Sequence, residues 1–419
     1  MRAQTTESAG GAARPHKSGM GGREFIVLMA ALIAIVAFSI DSMLPALPVI
    51  GDDFGLTDPN DRQFVLIAFV LAFGPTQIVF GPLSDRFGRK PVLLAGLLVF
   101  VLASYGAALT GSYWALLACR ALQGTGAAAV RITTNAIVRD CYAGREMARI
   151  MSYVFTVFML VPIGAPAVGQ AVVAVAGWHW LFALLGTCGA ALALWSGMRM
   201  NETLDPGERR ALDARSIIAA FREILTNRIA LGYTLAVTLF FGGLFSFIVS
   251  IQQIVETIYG LGDWLAVIFA VTASAMAVAS IGNATMVRKL GMRRISHGAL
   301  ISFTVFGGVL LALSLVMVPP FPVAIGLIAL VMMSFGLVAG NFNALAMEPL
   351  GHVAGAASSV LGMISFTGGA VFGSLTGQAF NGTVTPLAAA YFLYGTVALT
   401  IVLFTERGRL FGSEHDQDA

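Results

Sequence analysis

Three observations predict an all-α membrane protein of twelve spanning helices in two related halves of six. The first is composition: of 419 residues, 57% are hydrophobic and 11% charged, with a mean hydropathy of +0.83, a balance that no water-soluble domain sustains. The second is spacing. Crossing ~30 Å of hydrocarbon takes ~20 apolar residues, and such runs lie at 25–48, 62–84, 91–110, 114–138, 149–175, 179–200, 229–256, 264–287, 294–317, 322–347, 354–379 and 386–405. The third is an echo at an offset of 203 residues, where Arg288-Lys289-Leu290-Gly291 follows the eighth run as Asp85-Arg86-Phe87-Gly88 follows the second. The long polar segment 201–228 divides the halves, which are expected at 23–200 and 229–406. Residues 1–22, rich in Ser, Gly and Thr, read as disordered, and 407–419 as a tail.

Charge orients this bundle. With both termini on one side, all but three of the 25 Lys and Arg fall there, the exceptions being Arg62, Arg120 and Arg131. The positive-inside rule makes that side cytoplasmic. The opposite loop 51–61 is acidic, with Asp52, Asp53, Asp58 and Asp61, so the net charge of +3 reflects topology and predicts no nucleic-acid partner. Cys119, Cys141 and Cys188 lie far apart, the five histidines lack ligand spacing, and neither H-E-x-x-H nor G-x-S-x-G occurs. Neither a metal or other cofactor nor an enzyme is expected.

The first span holds Asp41, in Phe38-Ser-Ile-Asp41-Ser-Met-Leu-Pro45-Ala-Leu-Pro48. It is the one acid placed well inside a predicted span, where a carboxylate costs ~2.5–3.5 kcal/mol and needs a partner, water or a proton. It is read as a proton carrier, the alternative being a carboxyl that pairs to hold helices together. After the second span, Gly81-Pro-Leu-Ser-Asp85-Arg-Phe-Gly88-Arg89-Lys90-Pro91 reads as a tight polar loop at the membrane surface.

On the fourth span, Arg120, Gln123, Gly124, Ala127, Arg131, Thr134 and Asn135 share one helical face. A stripe with two arginines avoids lipid and lines water or substrate. Arg120 lies ~9 Å and Asp41 ~13 Å below the same surface at 1.5 Å per residue, depths close enough for the two to pair, for coupling or for packing alone. Arg131 is expected as a cavity charge beside Gln123 and Asn135. The fifth span carries Pro162, Gly164, Pro166 and Gly169; two prolines four apart bend a helix and the glycines admit a neighbour, though ordinary small-residue packing accounts for them equally well.

Segment 211–225 reads as an amphipathic surface helix within the linker. In the second half, Tyr233, Phe240 and Phe245 of the seventh span and Asn341 and Asn343 of the tenth suit a flat, apolar solute with a few polar groups. Glycines 355, 362, 369, 373 and 377 suit close contacts of the eleventh span.

The pattern G-x-L-x-D-R-x-G-R-K-P at 81–91 resembles the loop between helices 2 and 3 of major facilitator superfamily transporters, and Arg120-Ala-Leu-Gln-Gly-Thr-Gly126 resembles that family's second motif. Ile40–Pro48, Gly81–Pro91, Val138–Glu146 and His352–Ser359 are similar to the Bcr/CflA group of drug-resistance transporters. The resemblance implies the major facilitator fold, a bacterial inner-membrane drug:proton antiporter working by alternating access, and substrates such as bicyclomycin or the amphenicols chloramphenicol and florfenicol. It implies proton coupling at Arg120, which would tune the proton affinity of Asp41. It also implies a conformational latch of Gly81, Asp85, Gly88, Arg89, Lys90 and Asp140. The fifth-span run resembles the antiporter motif G-x-x-x-G-P-x-x-G-G, with Ala165 and Gln170 in place of two glycines. The second half carries Arg288 where the latch acid would stand, so a degenerate second latch is expected. The expected partners are the drug, protons and lipid, and the expected state is a monomer. A metabolite importer of the same fold is the alternative, ahead of a receptor or channel.

Overall fold

The computed structural model describes residues 17–142, 144–209 and 214–411, and among these every regular element is helical. The first half contains α1 (Gly22–Asp41), α2 (Leu47–Asp53), α3 (Phe64–Phe87), α4 (Arg89–Leu109), α5 (Tyr113–Cys141), α6 (Gly144–Ala176) and α7 (Trp178–Arg199). A linker helix, α8 (Ala214–Thr226), leads to α9 (Arg228–Gln253), α10 (Leu265–Leu290), α11 (Met292–Val316), α12 (Phe321–Met347), α13 (Ala354–Gln378) and α14 (Thr385–Thr405). With α1 and α2 counted as one interrupted span, these make twelve crossings in two six-helix bundles.

Ten of the helical segments are long and apolar enough to cross a membrane. The helix α5 is not among them, because its arginines and amides lower its mean hydropathy while pointing at protein instead of lipid. Of α6, the stretch Leu160–Ala176 is apolar.

The packing repeats as the sequence does. In the first half α3 and α4 pack on α5, α4 on α7, and α1 on α6; in the second, α10 and α11 pack on α12, α11 on α14, and α9 on α13. The halves meet along α3 with α13 and α6 with α10. Those two contacts are one pairing seen twice, since α10 repeats α3 and α13 repeats α6.

Three expectations change. Segment 81–91 is not a loop: α3 runs to Phe87, α4 starts at Arg89, and the chain reverses on Gly88 alone at φ +102°. A helix can outrun the hydrocarbon and keep satisfying its own backbone, so only the reversing residue leaves it, and a glycine can adopt that positive φ. Gly291 turns the second half in the same way at φ +81°.

Residues 17–22 are ordered, not disordered: Ser18 and Met20 are buried, the Asn201 amide donates to the Ser18 carbonyl (2.9 Å), and Lys17 pairs with Asp205 (2.9 Å). Backbone pairing with the linker anchors a segment whose composition alone reads as unstructured; residues 1–16 lie outside the described residues. The first span is also not one helix. It breaks after Asp41 into a 3₁₀ turn, Leu44–Ala46, around Pro45, which has no amide hydrogen to donate.

Helix α8 takes the place expected of the amphipathic segment. Its Phe221 and Ile224 pack with Val360 and Ala357 of α13 and with Ile78 of α3, at the arginine-rich end.

Candidate transport site and its latches

Asp41 is the last residue of α1, at the break in the first span. It is 4% exposed, and among the described residues it makes neither an ion pair nor a hydrogen bond, yet its oxygens are not among the sealed polar atoms. A carboxyl with open oxygens and no cation beside it can exchange a proton with water. Helix α6 crosses at this break: a Cβ built on Gly169 would stand 2.0 Å from the Ser42 carbonyl oxygen, so only glycine fits there. Pro162 and Pro166 lie inside the same helix, whereas Gly164 faces open space. Of the antiporter-like run, Gly169 is the residue that sets the approach of α6 to the Asp41 break.

Arg120 does not meet Asp41. Its Nε donates to the Val65 carbonyl (2.8 Å), its Nη1 donates to Gln123 Oε1, and its guanidinium lies 4.6 Å from the Phe69 ring centroid. Nη2 is sealed without a partner. Similar depth did not imply contact because a helical face fixes a direction, and this one looks towards α3, α4 and α7. Gln123 is likewise not in a cavity, since its Nε2 donates to Ser104 Oγ of α4 (2.7 Å) and the residue is fully buried.

Farther along the same stripe, Arg131 looks between the halves. Its guanidinium lies 4.1 Å from the centroid of Phe366 on α13 and 5.8 Å from that of Phe73 on α3, with Gln77 Oε1 at 3.5 Å. Phe366 packs in turn on Phe241 (4.5 Å) and Phe245 (6.1 Å), and Phe241 on Phe335 (5.5 Å). Asn135, one helical turn from Arg131, is half-buried. Through this cluster of one cation, two polar residues and a phenylalanine wall the stripe on α5 reaches the second half.

Other expected cavity residues lie elsewhere. Tyr233 is fully buried, and its hydroxyl donates to Glu406 (2.6 Å) beside His297 Nε2 (3.1 Å) at the arginine-rich end. Phe240 sits within the second bundle, 4.6 Å from Phe303 and 5.8 Å from Phe342. Asn341 pairs with Asn283 of α10 (3.0 and 3.2 Å), and the Asn343 amide donates to the Ala339 carbonyl (2.8 Å). A buried amide or hydroxyl in a span satisfies itself against a neighbouring helix first. Sequence reading passed over Phe366, Phe73 and Gln77; Gln77, a lone amide in an apolar run, was the available signal.

The residues expected as a latch meet at the arginine-rich end. Buried Arg89 donates through Nε to Asp140 (2.8 Å) and through Nη1 to Ser84 (2.8 Å) and Asp85, and Lys90 Nζ donates to the Gly197 carbonyl (2.7 Å). Glu202, which the motif does not include, accepts the amides of Arg89 (2.9 Å) and Lys90 (3.1 Å). Gly81 abuts Ser359 of the other half, 3.1 Å from a built Cβ.

In the second half Met292 stands where Arg89 would repeat, and the next residue, Arg293, donates to Glu348 (3.1 Å) and Glu406 (3.1 Å), acids that follow α12 and α14. At the acidic end, hydrogen bonds join the halves. Asn60 Nδ2 donates to the carbonyls of Gln378 (3.2 Å) and Phe380 (3.1 Å), Gln253 donates to Asn60 Oδ1 (2.8 Å), and Gln170 donates to the Asp263 carbonyl (3.3 Å). The acidic end is therefore closed. An apolar hollow of about 350 Å³, lined by Phe80, Phe87, Val92 and Gly126, lies between α3, α4 and α5, away from the interface of the halves.

A family model described as Major Facilitator Superfamily matches residues 28–374. The chain belongs to that superfamily. Among its relatives are the bicyclomycin resistance protein homolog of Haemophilus influenzae, 29% identical over 364 residues (87% of this chain, 91% of the relative), and the multidrug resistance protein MdtL of Escherichia coli, 26% identical over 387 residues (92% and 96%). A chloramphenicol resistance protein of Pseudomonas aeruginosa is 38% identical over 173 residues, 41% of each chain. These relatives are of the Bcr/CflA drug-resistance type, in agreement with the motifs. The fold matches a bacterial homolog of the human lysosomal transporter Spinster, solved inward-facing and unoccupied, at a TM-score of 0.67, 15% identity and coverage of 94% and 97%. It also matches the human organic anion transporter MFSD10, at a TM-score of 0.64, 18% identity and coverage of 91% and 99%. The protein is a transporter of the major facilitator fold.

Proposed function

We propose that this transporter exports small lipophilic drugs across a bacterial inner membrane in exchange for protons. The halves 23–200 and 229–406 rock about the central site as a monomer, with both termini and the arginine-rich end in the cytoplasm. The observation that carries the coupling is Asp41: a buried, unpaired carboxyl at a break in the first span, against which α6 is seated through Gly169. Resistance proteins among the relatives support export and favour substrates of the bicyclomycin or amphenicol kind.

In this mechanism the closed acidic end represents the state open to the cytoplasm. Drug enters between the halves, the acidic-end hydrogen bonds give way, and protonation of Asp41 from outside favours drug release and return. Arg120 holds α5 against α3 near this path and tunes the proton affinity of Asp41 by its field, not by contact. The driving force suffices: one charge falling through 100 mV releases ~2.3 kcal/mol, enough for a roughly fifty-fold gradient of a neutral solute.

The test is proton release by detergent-solubilised protein on adding chloramphenicol or florfenicol. Wild type is expected to release protons on binding drug and Asp41→Asn to release none. Drug binding without proton release in wild type would sink direct competition at Asp41.

A further inference from the structure

We propose that the site between the halves takes a planar aromatic solute carrying an oxyanion, a carboxylate or phenolate, with Arg131 as its charge partner and Phe366, Phe241 and Phe73 as its walls. This rests on the site location given above and adds a charged substrate class to the neutral drugs proposed there.

The other interior arginines already have partners. Arg89 holds Asp85 and Asp140, Arg293 holds Glu348 and Glu406, and Arg120 is spent on the Val65 carbonyl and Gln123. Among the described residues Arg131 has no carboxylate partner. Its one polar contact, Gln77 Oε1 at 3.5 Å, is longer than a good N–H···O bond. A guanidinium carries five N–H donors, so most of those on Arg131 are unspent, and the residue is half-buried at the interface of the halves. Asp41, the interior acid, makes no pair with it.

An unpaired positive charge inside a membrane protein is costly and is kept where it serves a ligand. The stacked phenylalanines offset part of that cost through the faces of their rings. Face stacking leaves the edge of the guanidinium fork free, and that edge matches a carboxylate in two parallel hydrogen bonds. A solute that separates Arg131 from Phe366 meets the fork on one side and the Phe366, Phe241 and Phe335 wall on the other. A cationic solute would meet like charge in a poorly screened space. Export of an anion against an entering proton also moves two charges in the favourable direction of a negative-inside potential.

The experiment is calorimetric binding of three near-isosteres, 2-naphthoate, 2-naphthamide and 2-naphthylmethylammonium, to the purified full chain in detergent. Wild type is expected to bind naphthoate at least tenfold more tightly than the ammonium, with the amide between them. Arg131→Gln is expected to erase that order while leaving the thermal midpoint unchanged or raised, since it removes an uncompensated charge. Arg131→Lys should keep the order with weaker naphthoate binding, and Phe366→Leu should weaken all three. Preference for the ammonium or the amide, binding of none, or a naphthoate preference that survives Arg131→Gln overturns the proposal. If naphthoate fails while Asp41-dependent proton release persists, the substrate class alone falls; if naphthoate binds as expected and proton release is absent, the coupling falls instead.

Discussion

Gly169 of α6 lies so close to the Ser42 carbonyl that a built Cβ would stand 2.0 Å from the oxygen, one residue from Asp41. That contact seats a helix of the antiporter-like run directly against the break that presents the buried carboxyl. Gly169→Ala must push α6 from α1 or unwind the break. Overpacking of this kind costs ~1–3 kcal/mol. The expected result is a lowered thermal midpoint and loss of drug resistance, whereas Gly164→Ala, at a position with nothing within 4 Å, should leave both intact. Equal tolerance at the two positions would separate Gly169 from the mechanism.

The arginine-rich latch should be graded, not uniform. The Arg89 side chain is 4% exposed, that of Asp140 14% and that of Asp85 36%. Removing one partner of a buried pair costs ~3–5 kcal/mol, because the other charge stays buried, so Arg89→Ala is expected to be severe. Asp140→Asn should follow, and Asp85→Asn should cost only ~0–1 kcal/mol, as an exposed pair does. Thermal midpoints in detergent give the order, and a reversed order of Asp85 and Asp140 would contradict it.

Much of this molecule is legible in the sequence, for a physical reason. Lipid enforces length and apolarity on every span, and the loops then carry the orienting charge, so helix positions and pseudo-symmetry follow from composition. Motif chemistry was equally readable at Arg89, Asp85 and Asp140, since the three meet as the resemblance implied. Azimuth was not. Arg120 bonds Val65 and Gln123 and not Asp41, and Tyr233 and Asn341 satisfy buried partners within the second half. Glu202 and Glu406 were missed because each lies far in sequence from the arginine cluster it completes.

Tyr233 is expected to matter for stability and not for ligand binding. Its hydroxyl is shared between Glu406 and His297 beside Arg293. Tyr233→Phe leaves those groups short of a partner at a cost of ~1–3 kcal/mol. Naphthoate or drug affinity in detergent should stay within twofold of wild type while the thermal midpoint falls. A large change in affinity at constant stability would return Tyr233 to the cavity.

Asn60 makes most of the hydrogen bonds that close the acidic end. Asn60 donates to two carbonyls of the other half and accepts from Gln253, and Gln378 Nε2 returns a bond to the Asn60 carbonyl (3.0 Å). Asn60→Ala deletes the three side-chain bonds and keeps the backbone one. At ~0.5–1.5 kcal/mol net for each bond, the loss shifts a near-balanced open–closed equilibrium at this end by roughly tenfold or more. Spin labels at Thr57→Cys and Thr383→Cys, exposed positions on each half beside the closure, report that shift directly. These labels require the native Cys119, Cys141 and Cys188 to be replaced first. The wild-type background should give one short distance, and Asn60→Ala a second, longer population that grows at the expense of the first. An unchanged distribution would show that α3 with α13 and α6 with α10 hold this end shut by packing alone.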